Sequence, residues 1–466
     1  MNLDERLAQA LGAEIVETDE ARLSARRHDQ WAASAIADHL GGGAPSPACV
    51  VRPCCVEDVQ KLLAFASAER IAVIPFGAGS GVVGGILASP EAIICDMGAM
   101  NKVRFIDEVN LLASFDAGCI GLAAEDAVAH RGLTIGHWPQ SVAVSSVGGW
   151  IATRAIGQFS TAYGGIEEIA AEIEAVLPSG RLVRFGRGPR ASAGPDLRHL
   201  MLGSEGALGV ITAATLFLRR TAQSRRLSAW RASSMELGFA FQREIVQAGW
   251  RPPVMRQYDE RESRRLERAT GTSGDGCLIL LVHEGPSSLV SVEATEIVAL
   301  AKGLGIAPAD LEFGQHWLDH RNEVPSWGDL LDRGIVADTV EVSATWSAIG
   351  QLYDEATRSL QEMEGCLAAS AHSSHVYRSG LNLYFTFAFT RAPQAMRPTY
   401  DEAWRRILEA TLRLGGSISH HHGIGRVRRP WLAHELGKTG AEVLSAVKKT
   451  LDPAGIMNPG VLIGDG

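Results

Sequence analysis

The segment Gly77-Ala-Gly79-Ser-Gly81-Val-Val-Gly84-Gly85 stands between two strand-like runs, 71–76 and 92–96, with no helical stretch between them. Its Gly79-x-Gly81-x-x-Gly84 spacing satisfies the dinucleotide fingerprint in letters only. That fingerprint works when a helix succeeds the glycines and turns its first N–H groups toward a pyrophosphate. Here Pro90 interrupts the residues after the loop, and the amphipathic stretch 56–66 comes before the loop rather than after it. The strand–loop–strand order argues against a Rossmann unit. A run of successive backbone N–H groups can still cradle a diphosphate without a helix dipole.

Glycine is also unevenly spent elsewhere. Of 50 glycines in 466 residues, many gather at Gly148-Gly149, Gly164-Gly165, Gly203 to Gly209 and Gly415-Gly416. Without a Cβ, such loops let a ligand approach the main chain, and several of them in one half of a chain point to a long cofactor. The remaining composition narrows the class. A formal net charge of −9 advertises no nucleic-acid surface. The apolar runs fall short of the roughly 20 residues that span a bilayer, and the N-terminus mixes acids into its apolar positions and does not read as a secretory leader. Seven scattered cysteines with no C-x-x-C spacing suggest neither a disulfide framework nor a zinc ribbon. These features lead to the expectation of a soluble, cytoplasmic enzyme. A peripheral membrane contact and a homodimer stay open.

Six ordered stretches carry a resemblance: Val51-Arg-Pro-Cys-Cys-Val-Glu-Asp-Val, Ile74-Pro-Phe-Gly-Ala-Gly-Ser-Gly, Ser146-Val-Gly-Gly-Trp-Ile-Ala-Thr-Arg, Tyr163-Gly-Gly-Ile-Glu, Leu177-Pro-Ser-Gly and Gly203-Ser-Glu-Gly-Ala-Leu-Gly-Val-Ile-Thr. With them the chain resembles the FAD-linked oxidases of the vanillyl-alcohol oxidase and p-cresol methylhydroxylase superfamily. Three further stretches are similar to alkyldihydroxyacetonephosphate synthases and their bacterial relatives: Gly136-His-Trp-Pro-Gln-Ser, residues 154–167, and Ser417-Ile-Ser-His-His-His-Gly-Ile-Gly-Arg. The resemblance implies an α+β fold: a two-subdomain FAD-binding domain and an antiparallel-sheet substrate (cap) domain. A small-molecule or lipid-like substrate is what the family resemblance implies as well. The expected division is a helical lead-in over 1–45, the FAD domain over 46–222, the cap over 223–410, and a segment over 411–466 returning to the flavin.

The same resemblance assigns roles. Pro75, Phe76, Gly77, Ala78, Gly79, Ser80 and Gly81 would hold the FAD pyrophosphate. Gln140, Ser141, Ser145, Ser146 and Gly148, then Thr153 and Arg154, then Glu205, Gly206, Gly209 and Ile211 would complete its surroundings. No His or Cys stands in the first glycine loop, so the flavin is expected to be non-covalent. Arg154 either lies near the isoalloxazine or forms a structural ion pair. Tyr377 is the expected acid/base residue, and a phenol needs cationic neighbours to ionise near pH 7; Arg378 and the His triplet are the candidates. His420, His421 and His422 are expected to form a polar wall that polarises a carbonyl, with His137 a weaker candidate for the same site. On an extended chain His421 would point away from the other two, and no carboxylate partner is evident nearby, so no metal site is expected. The 2-hydroxy-acid branch of the family carries a His-x-Gly-Asp-Gly-Asn-x-His motif. In the corresponding region this chain has His375-Val-Tyr-Arg-Ser-Gly-Leu-Asn instead. Arg256 matches a family arginine required for synthase activity. The family's phosphate-gripping arginine is missing from Glu323 to Asp329, leaving Arg321, Arg333 or Arg378 as replacements. Two readings are open: acyl-to-alkyl exchange on acyl-dihydroxyacetone phosphate, without net redox, or an FAD-dependent dehydrogenase or oxidase of a 2-hydroxy acid or alcohol.

Overall fold

A computed structural model describes residues 2–186, 188–323 and 328–463. Val73–Phe76 and Ile93–Asp96 are parallel neighbours joined directly by the glycine loop, as the strand–loop–strand order requires. Cys49–Val51 extends this sheet in parallel, and Val16–Glu17 closes its edge antiparallel. The first residues therefore contribute a strand as well as helices. The helix Val56–Glu69 buries Val59, Leu62, Leu63 and Ala66, the face its apolar spacing predicts.

A five-stranded antiparallel sheet comes next, in the order Val103–Asp107, Leu112–Asp116, Val210–Phe217, Ala170–Val176, Leu182–Phe185. The apolar run from Val210 lies at its centre, where every residue but the last is buried. Residues of both sheets, from Cys49 to Leu218, share one apolar core.

The second half is an eight-stranded antiparallel sheet whose longest members are Ile335–Thr345 and Gly380–Thr390, paired residue for residue. Helices Met235–Gln247, Ser287–Gly303, Ile349–Gln361 and Pro393–Arg413 pack their apolar faces on it. Trp31 and the helix Ala32–His39 belong to this second core, where Trp31 Nε1 donates to Tyr400 Oη at 2.8 Å. A long helix follows near the C-terminal end. It runs Arg429–Leu451, with Pro430 in its first turn and a kink at Gly437. Beyond it the chain returns to the first sheet, where Met457 bridges Val73 in parallel. Among the described residues no helix is long and apolar enough to cross a membrane.

Candidate active site

The site lies where three segments converge: the glycine loop, the short strand Val376–Tyr377, and the histidine triplet. Gly79 adopts φ +71°, a conformation an L side chain rarely takes. The N–H groups of Ala78, Gly79, Ser80 and Gly81 meet no protein acceptor among the described residues. A Cβ on Gly77 would collide with Ser146 Oγ, so the loop packs directly on the first turn of the helix Val147–Thr153. Unpartnered donors on a bare, close-packed loop fit a diphosphate. Those same residues would hold the pyrophosphate of FAD.

The other expected cofactor residues lie on the segments 140–148, 153–154 and 205–211. Gly206 packs on Pro75, where a Cβ would come within 2.9 Å of the ring, and Ile211 is the second residue of the central strand. Ser145 Oγ accepts from Trp150 Nε1 at 2.8 Å, and Thr153 Oγ1 donates to the Gly149 carbonyl. Gln140 Nε2 donates to the Glu323 carbonyl, a contact across 183 positions of sequence. Gly148 sits tight on Ala117. Ser141 accepts at its carbonyl from Val144 N–H, and Gly209 packs on the Val176 carbonyl.

Glu205 has φ +47°, and its carboxylate is committed within the protein: it accepts Ile424 N–H at 2.6 Å and Gly425 N–H at 2.7 Å. Burial pushes its pKa up to about 7. Beside it Asp29, raised by burial to about 7 as well, accepts Gly85 N–H at 2.8 Å. Two buried carboxylates thus pin the loop after the triplet, and the glycine loop, to the same place.

The triplet is held by a residue that no local sequence signal marks. Glu341, fully buried on Ile335–Thr345, accepts the N–H groups of His420, His421 and His422. Burial works against its charge, but Arg428, His421 and His420 outweigh this and hold its pKa below the usual range. The expectation of an extended triplet with no carboxylate partner is therefore corrected. After Ser417 bridges Ser343, the chain bends over Glu341 and turns out through Gly423 at φ +87°. In that bend His420 and His421 bring their Nδ1 atoms to 2.9 Å instead of facing opposite ways.

Tyr377 Oη lies 2.6 Å from His420 Nε2. Burial, followed by Glu167 and Glu168, pushes the phenol pKa up, while Arg154 opposes. Burial also lowers the pKa of His420 to about 4 and that of His422 to about 3, and holds His421 well below the usual range. The triplet is thus neutral, and the cation acting on Tyr377 is Arg154 rather than Arg378. Arg154 is 3.2 Å from Glu167 and half exposed, which places it in an ion pair at the rim.

Arg256 has no carboxylate partner among the described residues; its Nε donates to Tyr258 Oη at 2.9 Å and its guanidinium lies over the rings of Tyr258 and Trp317. Its charge reaches the cluster: burial first, then His420, His421 and Arg256, holds the His375 pKa well below its usual value. His137 is not brought to the triplet. It is fully buried, packs edge-on against Trp150 at 4.6 Å, and has both ring nitrogens unpartnered. Of the replacement arginines, Arg333 and Arg378 are exposed, whereas Arg321 stacks on Trp138 and Phe159. Val324 to Trp327, within the stretch that lacks the family arginine, lie outside the described residues. His375, quoted in the sequence but given no role, completes the cluster: it stacks on His420 at 5.0 Å.

The family model for the FAD binding domain matches residues 47–186, and that for the FAD linked oxidases, C-terminal domain, matches residues 221–462. The chain is 33% identical to the uncharacterized FAD-linked oxidoreductase YgcU of Escherichia coli (strain K12), over 98% of this chain and 97% of that protein. It is 30% identical to the alkyldihydroxyacetonephosphate synthase of Dictyostelium discoideum, over 90% of this chain and 73% of that protein. A solved structure of alkyldihydroxyacetonephosphate synthase superposes with a TM-score of 0.81 at 25% identity, covering 97% of this chain and 85% of that one. The bare glycine loop, the α+β architecture and both family models lead to one conclusion: this chain is an FAD-dependent enzyme and belongs to the FAD-linked oxidases.

Proposed function

We propose that the protein exchanges the acyl group of an acyl-dihydroxyacetone-phosphate-like ester for an alkyl ether group. The observation that carries this reading is the 2.6 Å contact between Tyr377 Oη and a neutral His420. FAD, held at the glycine loop by residues 75–81, would supply the electron-accepting ring that the exchange needs. The chain's own residues handle protons and charge. Tyr377 is the acid/base group at the carbon beside the substrate carbonyl; with its own pKa raised it works as a relay, passing its phenolic proton to His420 Nε2 as it takes the substrate's. His421 and His422 line the same wall as neutral dipoles, which suits a carbonyl gaining negative charge and a carboxylate leaving. Arg256, which has no carboxylate partner among the described residues, grips the anionic head of the substrate.

The direct test gives the purified flavoprotein palmitoyl-dihydroxyacetone phosphate and labelled hexadecanol. Labelled ether is the expected product; its absence at every substrate level overturns the reading. A second reading, dehydrogenation of a hydroxy acid or alcohol, is favoured by the match to a protein named as an oxidoreductase over nearly its whole length. Anaerobic bleaching of the flavin by such a substrate, in a protein that makes no ether, would select it.

A further inference from the structure

We propose that His372 is a second proton acceptor of the active site, held by Glu262 and serving the hydroxyl of the entering alcohol. The inference rests on the exchange reading, in which two different protons must move. Tyr377 and His420 handle the one on carbon. The alcohol's own proton must leave as its oxygen bonds to the substrate carbon, and neither of those residues is free to receive it.

Four residues stand opposite one another across four neighbouring strands of the eight-stranded sheet. Tyr258 pairs with His372, His372 with Tyr384, and Tyr384 with Glu341. Directly paired residues share one face of a sheet. His372 therefore stands inside a row that runs from Tyr258, the hydrogen-bond partner of Arg256, to the carboxylate that gathers the triplet. Its ring stacks on Tyr384 at 5.0 Å, and Tyr384 Oη lies 3.4 Å from His422 Nε2. Glu262 Oε2 is 3.0 Å from His372 Nδ1, while Glu262 Oε1 accepts from Ser370 Oγ and Thr386 Oγ1, each at 3.1 Å. The carboxylate can only accept, so the ring proton sits on Nδ1 and Nε2 keeps its lone pair. That nitrogen has no protein partner among the described residues. Asp259 accepts the Ala371 N–H at 2.8 Å and so fixes the strand at the residue before His372.

Burial, with Arg256 and Arg265, outweighs the Glu262 contact and holds the His372 pKa below its usual value, so the ring is neutral at neutral pH. A neutral lone pair repels an anionic oxygen and accepts an O–H. The group that suits Nε2 is thus a hydroxyl, not the anionic head assigned to Arg256. In the step, the alcohol O–H bond breaks, its oxygen gives an electron pair to the new C–O bond, and the proton goes to Nε2. The acyl carboxylate leaves with the electron pair of the bond it breaks, and the imidazolium then returns its proton to solvent. No oxidant or reductant is consumed. Burial works against the Glu262 charge, but His372 and Arg265 outweigh it and hold its pKa below the usual range. Glu262 is a positioning residue: it sets the tautomer and supplies the charge that balances the imidazolium.

The test compares wild type with His372→Gln in the full-length flavoprotein. Two rates are measured: ether formation from palmitoyl-dihydroxyacetone phosphate and labelled hexadecanol, and washout of tritium from the carbon beside the substrate carbonyl with no alcohol present. Ether formation should fall about 10²- to 10⁴-fold, while washout, which needs Tyr377 and not the alcohol, stays at the wild-type rate. Glu262→Gln should show the same split to a smaller degree. A fluorinated alcohol, whose hydroxyl is more acidic, should narrow the deficit. Wild-type ether formation in His372→Gln, a loss of washout equal to the loss of ether, or a deficit as large with the fluorinated alcohol overturns the role. A wild type that makes no ether removes the exchange reading and this role together, whereas ether untouched by His372→Gln removes this role alone. Should His372→Gln lose its flavin, ¹⁵N spectra of the histidine-labelled wild type decide: a neutral His372 ring protonated on Nδ1 supports the role, and any other protonation state at neutral pH refutes it.

Discussion

Arg428 Nη2 donates to Glu341 Oε1 at 2.8 Å, with both side chains fully buried. Glu341 is a positioning residue: its carboxylate gathers three successive backbone amides, and Arg428 keeps it ionised so that it can.

Glu341→Gln leaves the Arg428 charge uncompensated in the interior, where breaking a pair costs about 3 to 5 kcal/mol. Denaturant unfolding should show a loss of that order. Glu341→Gln combined with Arg428→Met should recover part of it. A single variant as stable as wild type contradicts the assignment.

Tyr377→Phe removes the group that handles the proton and leaves the glycine loop untouched. The turnover rate should fall about 10²- to 10⁴-fold with the flavin content unchanged. In the wild type the acid limb of the rate profile should lie near pH 4, where His420 takes a proton from solvent and no longer faces the phenol as an acceptor. Steady-state rates across pH check both points.

Arg256→Ala should raise KM for an anionic substrate by about 10- to 150-fold, the worth of a hydrogen bond to a charged group. Arg256→Lys should recover only part of this, because an ammonium lacks the planar fork that rests on Tyr258 and Trp317. An unchanged KM in Arg256→Ala removes the residue from substrate binding.

Glu205 gives a pH-dependent stability. Its folded pKa, about 7, is above the ordinary 4.5, so the folded state holds the proton more tightly between those values. Its contribution is fully present below about pH 4.5 and is lost as pH rises through 7. Glu205→Gln cannot titrate. Its stability relative to wild type should therefore improve from about pH 5 to about pH 8, read as the difference in unfolding midpoints. A difference independent of pH contradicts this.

Much of the fold was legible because its signals are local. Proline and glycine placement showed that the 77–85 loop joins strand to strand, and apolar spacing placed the start of the helix at Val56. The partners of the triplet were not legible. Glu341 precedes His420 by 79 positions and meets it only because Ser343 and Ser417 bridge two segments far apart in the chain. The alternation argument for three histidines failed for a related reason: it assumes a strand, and an acceptor for three successive amides bends the chain instead. The neutral state of the triplet likewise comes from burial, which residue type alone does not show.

The return of the chain to Val73 affects the order of assembly. Asn458 donates through Nδ2 to the carbonyls of Gly85 and Glu205, and its own amide donates to Val73. The glycine loop, made early in synthesis, is therefore left without its buttress until residues near 458 leave the ribosome. Chains that end before residue 458 should therefore hold flavin more weakly than the full chain, read as flavin content after gel filtration.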